Sequence, residues 1–139
     1  MKIQNFKYHE SGLNRFFGPL EAKIMNILWD SSPKTIKDVQ GKLEQEKSVN
    51  FNTVMTVMNR LVEKGILQKK TEGRLTHFWP VLSRDEFLET QSKELTHELM
   101  EEFGPLVVNH MLDALEEVDM GLLEKLEMKI KDLKKEKER

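Results

Sequence analysis

The hydrophobic pattern along residues 52–80, NTVMTVMNRLVEKGILQKKTEGRLTHFWP, changes period once, and sharply. At about 100° per residue, Val54, Val57, Met58, Leu61 and Val62 cluster on one side of a helix. Asn52, Thr56, Asn59 and Glu63 fall opposite, with Thr53 and Arg60 on one flank. Asn50 suits the N-cap, since its side chain can accept from a first-turn N–H that has no helical partner. Gly65 suits the left-handed position that closes a helix. Beyond it the chain reads as two short strands joined by Glu72-Gly73-Arg74.

Two more helices precede this segment. Gly18-Pro19 opens the first, with proline in the first turn, where a missing N–H costs nothing. Leu20, Ile24, Ile27 and Leu28 recur at helical spacing beside Trp29, and Asp30-Ser31-Ser32-Pro33 turns the chain. Thr35 and Asp38 form a capping-box-like pair for the second helix, which presents Ile36, Val39 and Leu43 on one side. A two-stranded sheet is marginal alone. It must lean on the helices, and Leu67, Leu75, Phe78 and Trp79 are the apolar residues to do so. Helix, helix, helix, strand, strand is the order of a winged helix-turn-helix. Its third helix suits a major groove and its hairpin the adjoining backbone.

The chain beyond residue 82 is helical in pattern. Ser83 can cap a helix to about Phe103, with Phe87, Leu88, Gln91, Leu95 and Leu99 on one stripe, before Gly104-Pro105 breaks it. A short Val-, Leu- and Met-rich segment over 106–115 follows. Asp119 caps a last helix in which Leu123, Leu126, Ile130 and Leu133 alternate spacings of three and four, a coiled-coil-like seam. So much apolar surface on thin helices marks a partner surface, and a second copy is the simplest partner. Phe87, Leu95, Leu99, Leu123, Leu126, Ile130 and Leu133 are the candidate dimerisation residues. The expected organisation is an extension over 1–16, a winged helix-turn-helix over 17–82 and a helical dimerisation region over 83–139. The fold class is mostly α with one small β-hairpin.

Composition changes this picture in one respect. The net charge of −2 is unpromising for nucleic acid, but it is unevenly spread. Residues 1–81 carry thirteen Lys and Arg against eight Asp and Glu, whereas 82–139 carry nine against sixteen. The basic half is the half with the helix-turn-helix pattern, where phosphate contacts would be made. Asn52, Thr53, Thr56 and Arg60 on the third helix, with Lys69, Lys70 and Arg74 on the wing, are therefore the candidate DNA-binding residues. Any one of them, taken alone, also reads as an ordinary solvated position.

Other chemistry finds little support. There is no cysteine, hence no thiolate metal site or disulfide framework. No glycine-rich phosphate loop or Gly-x-Ser-x-Gly occurs, and the four histidines are scattered. The eight methionines read as deformable filler. The expectations are no catalytic residue, no cofactor and no metal. No apolar run is long enough to span a membrane and the start lacks a signal-peptide core, which points to a cytoplasmic protein. Two other readings stay open: a ligand-responsive regulator with an interdomain pocket, and a winged-helix protein-interaction module without an operator.

Three runs carry a specific resemblance: Gly18-Pro19-Leu20-Glu21-Ala22 through Leu28-Trp29, Thr53-Val54-Met55-Thr56 through Lys64-Gly65, and Gly73-Arg74 through Phe78-Trp79-Pro80. The chain resembles the penicillinase-repressor family from about Phe17 onwards. The resemblance implies a homodimeric transcriptional repressor on a double-stranded, palindromic operator, released by an inducing signal. In such repressors a sensor protease cuts an Asn–Phe bond in the dimerisation region. The matching stretch is Leu106-Val107-Val108-Asn109-His110, where His110 stands in place of the Phe. Asn109 and His110 are thus either a cleavage site or plain polar helix positions. The cysteine motif of the family's copper-responsive branch is absent.

Overall fold

The computed structural model describes Lys7 and residues 12–139. Its elements run α1 (Pro19–Asp30), α2 (Ile36–Leu43), α3 (Phe51–Glu63), β1 (Leu67–Glu72), β2 (Leu75–Pro80), α4 (Arg84–Ala114) and α5 (Met120–Lys137). The chain divides into two compact units, the first ending at Leu95 and the second covering Thr96–Arg139.

In the first unit α1, α2 and α3 pack on one another and on the hairpin. Ile24, Met25, Val39, Val54, Met58 and Leu61 are fully buried where the helices meet, and Leu67 and Phe78 join them from the sheet. Their removal from water is the main favourable term in the unit's stability, at about 1.5–3 kcal/mol for each large side chain. The strands are antiparallel, with Leu67 opposite Pro80 and Glu72 opposite Leu75. Lys34 adds a single bridge to Phe78, with backbone bonds of 3.1 and 2.9 Å, so the turn before α2 closes one edge of the sheet. Leu75 does not lean on the helices. It is 57 % exposed, because side chains alternate along a strand and Phe78 has taken the inner face.

Local chemistry sets the helix ends. The Thr35 hydroxyl accepts from the Asp38 N–H and an Asp38 carboxylate oxygen accepts from the Thr35 N–H, both at 3.1 Å. The bond from the Thr35 backbone, then that with its hydroxyl, holds the Asp38 carboxyl below its ordinary value of 3.8. A lowered pKa means that the carboxylate's contribution is complete above that value and is lost as pH falls below it. Thr35→Ala is expected to cost about 0.5–2 kcal/mol at neutral pH. Denaturant unfolding of both chains should show that difference shrinking as pH drops below the carboxylate range.

The first unit extends further into α4 than residue 82. Phe87 and Gln91 are buried. The Phe87 ring lies against Phe16, Phe17 and Trp29 at centroid distances of 5.9, 5.2 and 5.5 Å. Trp29 Nε1 donates to the Leu82 carbonyl at 2.9 Å, and Arg84 Nη2 donates to Asn26 Oδ1 at 2.7 Å. The start of α4 is thereby held on the end of α1. Most of the expected 1–16 extension, including Phe6 and Tyr8, lies outside the described residues. Its described end, a 3-10 turn over Gly12–Arg15 followed by Phe16, brings Leu13 and Phe16 against the core.

In the second unit the helical path is interrupted at Phe103, just before Gly104-Pro105 as the sequence suggests, so the span of α4 is two helices meeting at a kink. Proline lacks the N–H of one helical bond and crowds the preceding turn. The kink lies at Phe103 (φ −127°, ψ 26°), and Pro105 falls in the first turn of the helix that follows, where a missing N–H costs nothing. Asp119 caps α5, its Oδ1 accepting from the Leu122 N–H at 2.8 Å. No residue of the second unit is buried.

Candidate nucleic-acid interface

Helix α3 forms where expected because its ends are specified. Asn50 Oδ1 accepts from the Asn52 N–H at 2.7 Å, and Gly65 sits at φ +78°, where an L side chain would be strained. Burying Val54, Met58 and Leu61 turns Asn52, Thr53, Thr56 and Arg60 to solvent. The four α3 candidates therefore share one open surface. Part of its hydrogen-bonding capacity is already committed. The Thr56 hydroxyl donates to the Asn52 carbonyl at 2.8 Å, and Asn59 Nδ2 donates to the Met55 carbonyl at 3.0 Å.

The wing begins two residues after Gly65. A two-residue turn, Gly73-Arg74, joins its strands, with Gly73 at φ +63° in the position a tight hairpin reserves for glycine. Arg74 is exposed at the tip and has no ion-pair partner among the described residues. Lys70 pairs loosely with Glu72 at 3.3 Å, both ends well exposed. Such a pair contributes little and opens easily. Lys69 lies on the opposite strand face, and its Nζ donates to Asn59 Oδ1 at 2.8 Å. That bond joins wing to helix, so Lys69 continues the polar face of α3 onto the hairpin, while Lys70 lies on the other strand face and Arg74 at the tip. The wheel puts Asn59 on the polar face, but only the docked hairpin reveals its partner.

The family model described as penicillinase repressor matches residues 17–132. The chain belongs to the penicillinase repressor family. Family members are transcriptional repressors, not enzymes. The transcriptional regulator BlaI of Mycobacterium tuberculosis is 33 % identical over 72 residues, covering 51 % of this chain and 52 % of that protein. The penicillinase repressor of Bacillus licheniformis is 25 % identical over 92 residues, covering 66 % and 69 %. The match thus spans about half the length of the first relative and about two thirds of the second. Among solved structures, monomeric B. licheniformis BlaI in complex with the blaP half-operator is 24 % identical, with a TM-score of 0.46 over 50 % of this chain and 85 % of that one.

The remaining candidates of this penicillinase-repressor family member scatter over both units. Phe87, expected on a dimer surface, is 2 % exposed inside the first unit, because the rings of Phe16, Phe17 and Trp29 enclose it. Leu95 is half-buried at the end of that unit. In the second unit Leu99, Ile130 and Leu133 are exposed, and Leu123 and Leu126 are half-buried. Leu115, Leu123, Leu126 and Ile130 line an open groove of about 360 Å³. Asn109 and His110 are exposed within α4. His97 and Glu101 pair at 3.0 Å on an exposed helix face, an ordinary surface arrangement. Among the described residues no group of three or more His, Asp or Glu could hold a metal ion, and no helix is long and apolar enough to cross a membrane.

Proposed function

We propose that the protein is a sequence-specific DNA-binding transcriptional repressor that acts as a homodimer on a palindromic operator. The observation that carries this reading is the polar face of α3 continued onto the basic hairpin through Lys69 and Asn59. The N-terminal half of α3 enters the major groove, where Asn52, Thr53 and Thr56 meet base edges. Arg74 and Lys70 meet phosphates beside it. Family membership supports a repressor.

The homodimer rests on the second unit. Leu99, Phe103, Leu106, Leu112, Ile130 and Leu133 are all exposed there, with no buried residue beneath them. A polypeptide keeps that much carbon in water only when another surface covers it. A two-fold dimer repeats the α3–wing surface about one axis, which makes the matching operator a palindrome.

Selection of bound sequences from random DNA tests the reading, and variants separate reading from holding. Thr56→Ala is expected to narrow the preference for the selected operator over random DNA by roughly fourfold, the worth of one desolvated methyl. Arg74→Ala should weaken binding to both and reduce the slope of log affinity against log salt by about one. Titrations of labelled operator at several salt concentrations measure both. An operator preference unaltered in Thr56→Ala would remove α3 from the groove.

A further inference from the structure

As the groove helix of the proposed repressor, on which this inference rests, α3 carries one feature that its polar face does not account for. Phe51 is its first residue and is 42 % exposed, although the first turn of a helix needs no aromatic ring. Met55 lies one turn on along the same flank, half-buried, and Thr56 follows it on the outer face. The polar groups around them are largely committed. Thr56 gives its hydroxyl proton to the Asn52 carbonyl, Asn59 gives an amide proton to the Met55 carbonyl, and Asn59 Oδ1 receives Lys69. What remains of Thr56 for a partner is a methyl group and an acceptor lone pair. Phe51 and Met55, one turn apart, thus form an apolar flank at the groove-entering end of α3, roughly 100° or more round the helix from Thr56.

In the major groove one base alone offers a methyl group to such a surface. Thymine carries a 5-methyl group there, whereas the other base edges offer only donors and acceptors. We infer that Phe51, with Met55 beside it on the same flank, is a specificity-determining contact for the 5-methyl groups of thymines in the operator. This contact distinguishes an A·T pair from a T·A pair without a hydrogen bond, since the methyl lies on one strand only. It also explains why the helix can tie up its own polar groups and still read sequence.

The test uses the full chain, the duplex it enriches most strongly from random DNA, and a copy of that duplex made with deoxyuridine in place of thymidine. Uracil keeps every pairing and groove hydrogen bond and lacks only the methyl. The wild-type chain is expected to bind the uracil duplex about fourfold more weakly for each methyl contacted, the effect of one buried carbon group. Phe51→Ala should bring the ratio of the two affinities closer to one, and Phe51→Leu should restore part of it. Because Phe51 is exposed and the Asn50 cap does not involve its ring, Phe51→Ala should remain folded. Equal wild-type affinity for the two duplexes overturns the inference without any variant. A Phe51→Ala chain with the full wild-type ratio overturns the assignment to Phe51. A wild-type chain that enriches no sequence at all overturns the groove reading itself, and this inference falls with it.

Discussion

Phe87→Ala is expected to destabilise the first unit by about 3–5 kcal/mol, the usual cost of removing a buried aromatic ring. Three rings surround Phe87, and the Phe17 ring stacks on it with an interplanar angle of 18°. Neighbours fixed on α1 and on the segment before it cannot close the space that alanine would leave. The loss is a large part of the stability of any small domain, typically about 5–15 kcal/mol in total. The start of α4 should also detach, since Phe87 and Gln91 are its buried residues. Urea unfolding followed by tryptophan fluorescence measures the effect directly, because Trp29 lies 5.5 Å from the ring that is removed. A lower dimer fraction at an unchanged unfolding midpoint would instead return Phe87 to a subunit interface.

Phe87 also marks where sequence stops being legible. Hydrophobic period shows that Phe87, Leu95 and Leu99 share a face of one helix, but not what that face meets. Phe87 meets Phe17, seventy positions earlier, and no local pattern encodes such a pairing. The same gap hides that the compact first unit runs on to Leu95: the capping signal at Ser83 marks the start of a helix and says nothing of how far that helix packs on the rest. Features fixed within a few residues were readable: the Asn50 cap, the Thr35–Asp38 box, the Gly73-Arg74 turn and the outward polar face of α3. Leu75 faces outward because strand parity, and not apolar character alone, decides which face of a hairpin a residue takes. The Lys69–Asn59 bond needed the hairpin docked on α3, so the sequence offered both residues but not their contact.

Truncation after Leu115 is expected to weaken binding to a full palindromic operator by about 10²–10⁴-fold while leaving half-operator affinity near that of the intact chain. Two heads held together bind the second half-site as an intramolecular event, and the linkage supplies that factor without a new DNA contact. The truncation removes Leu123, Leu126, Ile130 and Leu133, and with them all but one residue of the apolar seam lining the groove. It leaves intact every contact described for the first unit, which ends at Leu95. Sedimentation should therefore show a monomer with unchanged thermal unfolding of the winged unit, and DNA titration a full-operator affinity close to the half-operator value. A cut at Asn109–His110 would act by the same route, and a fragment ending at Asn109 in the intact mass of protein recovered after induction is its signature. An unchanged dimer from the truncated chain would remove the α5 seam from the interface. The exposed residues of α4, Leu99, Leu106, Met111 and Leu112 among them, would then have to carry the dimer alone.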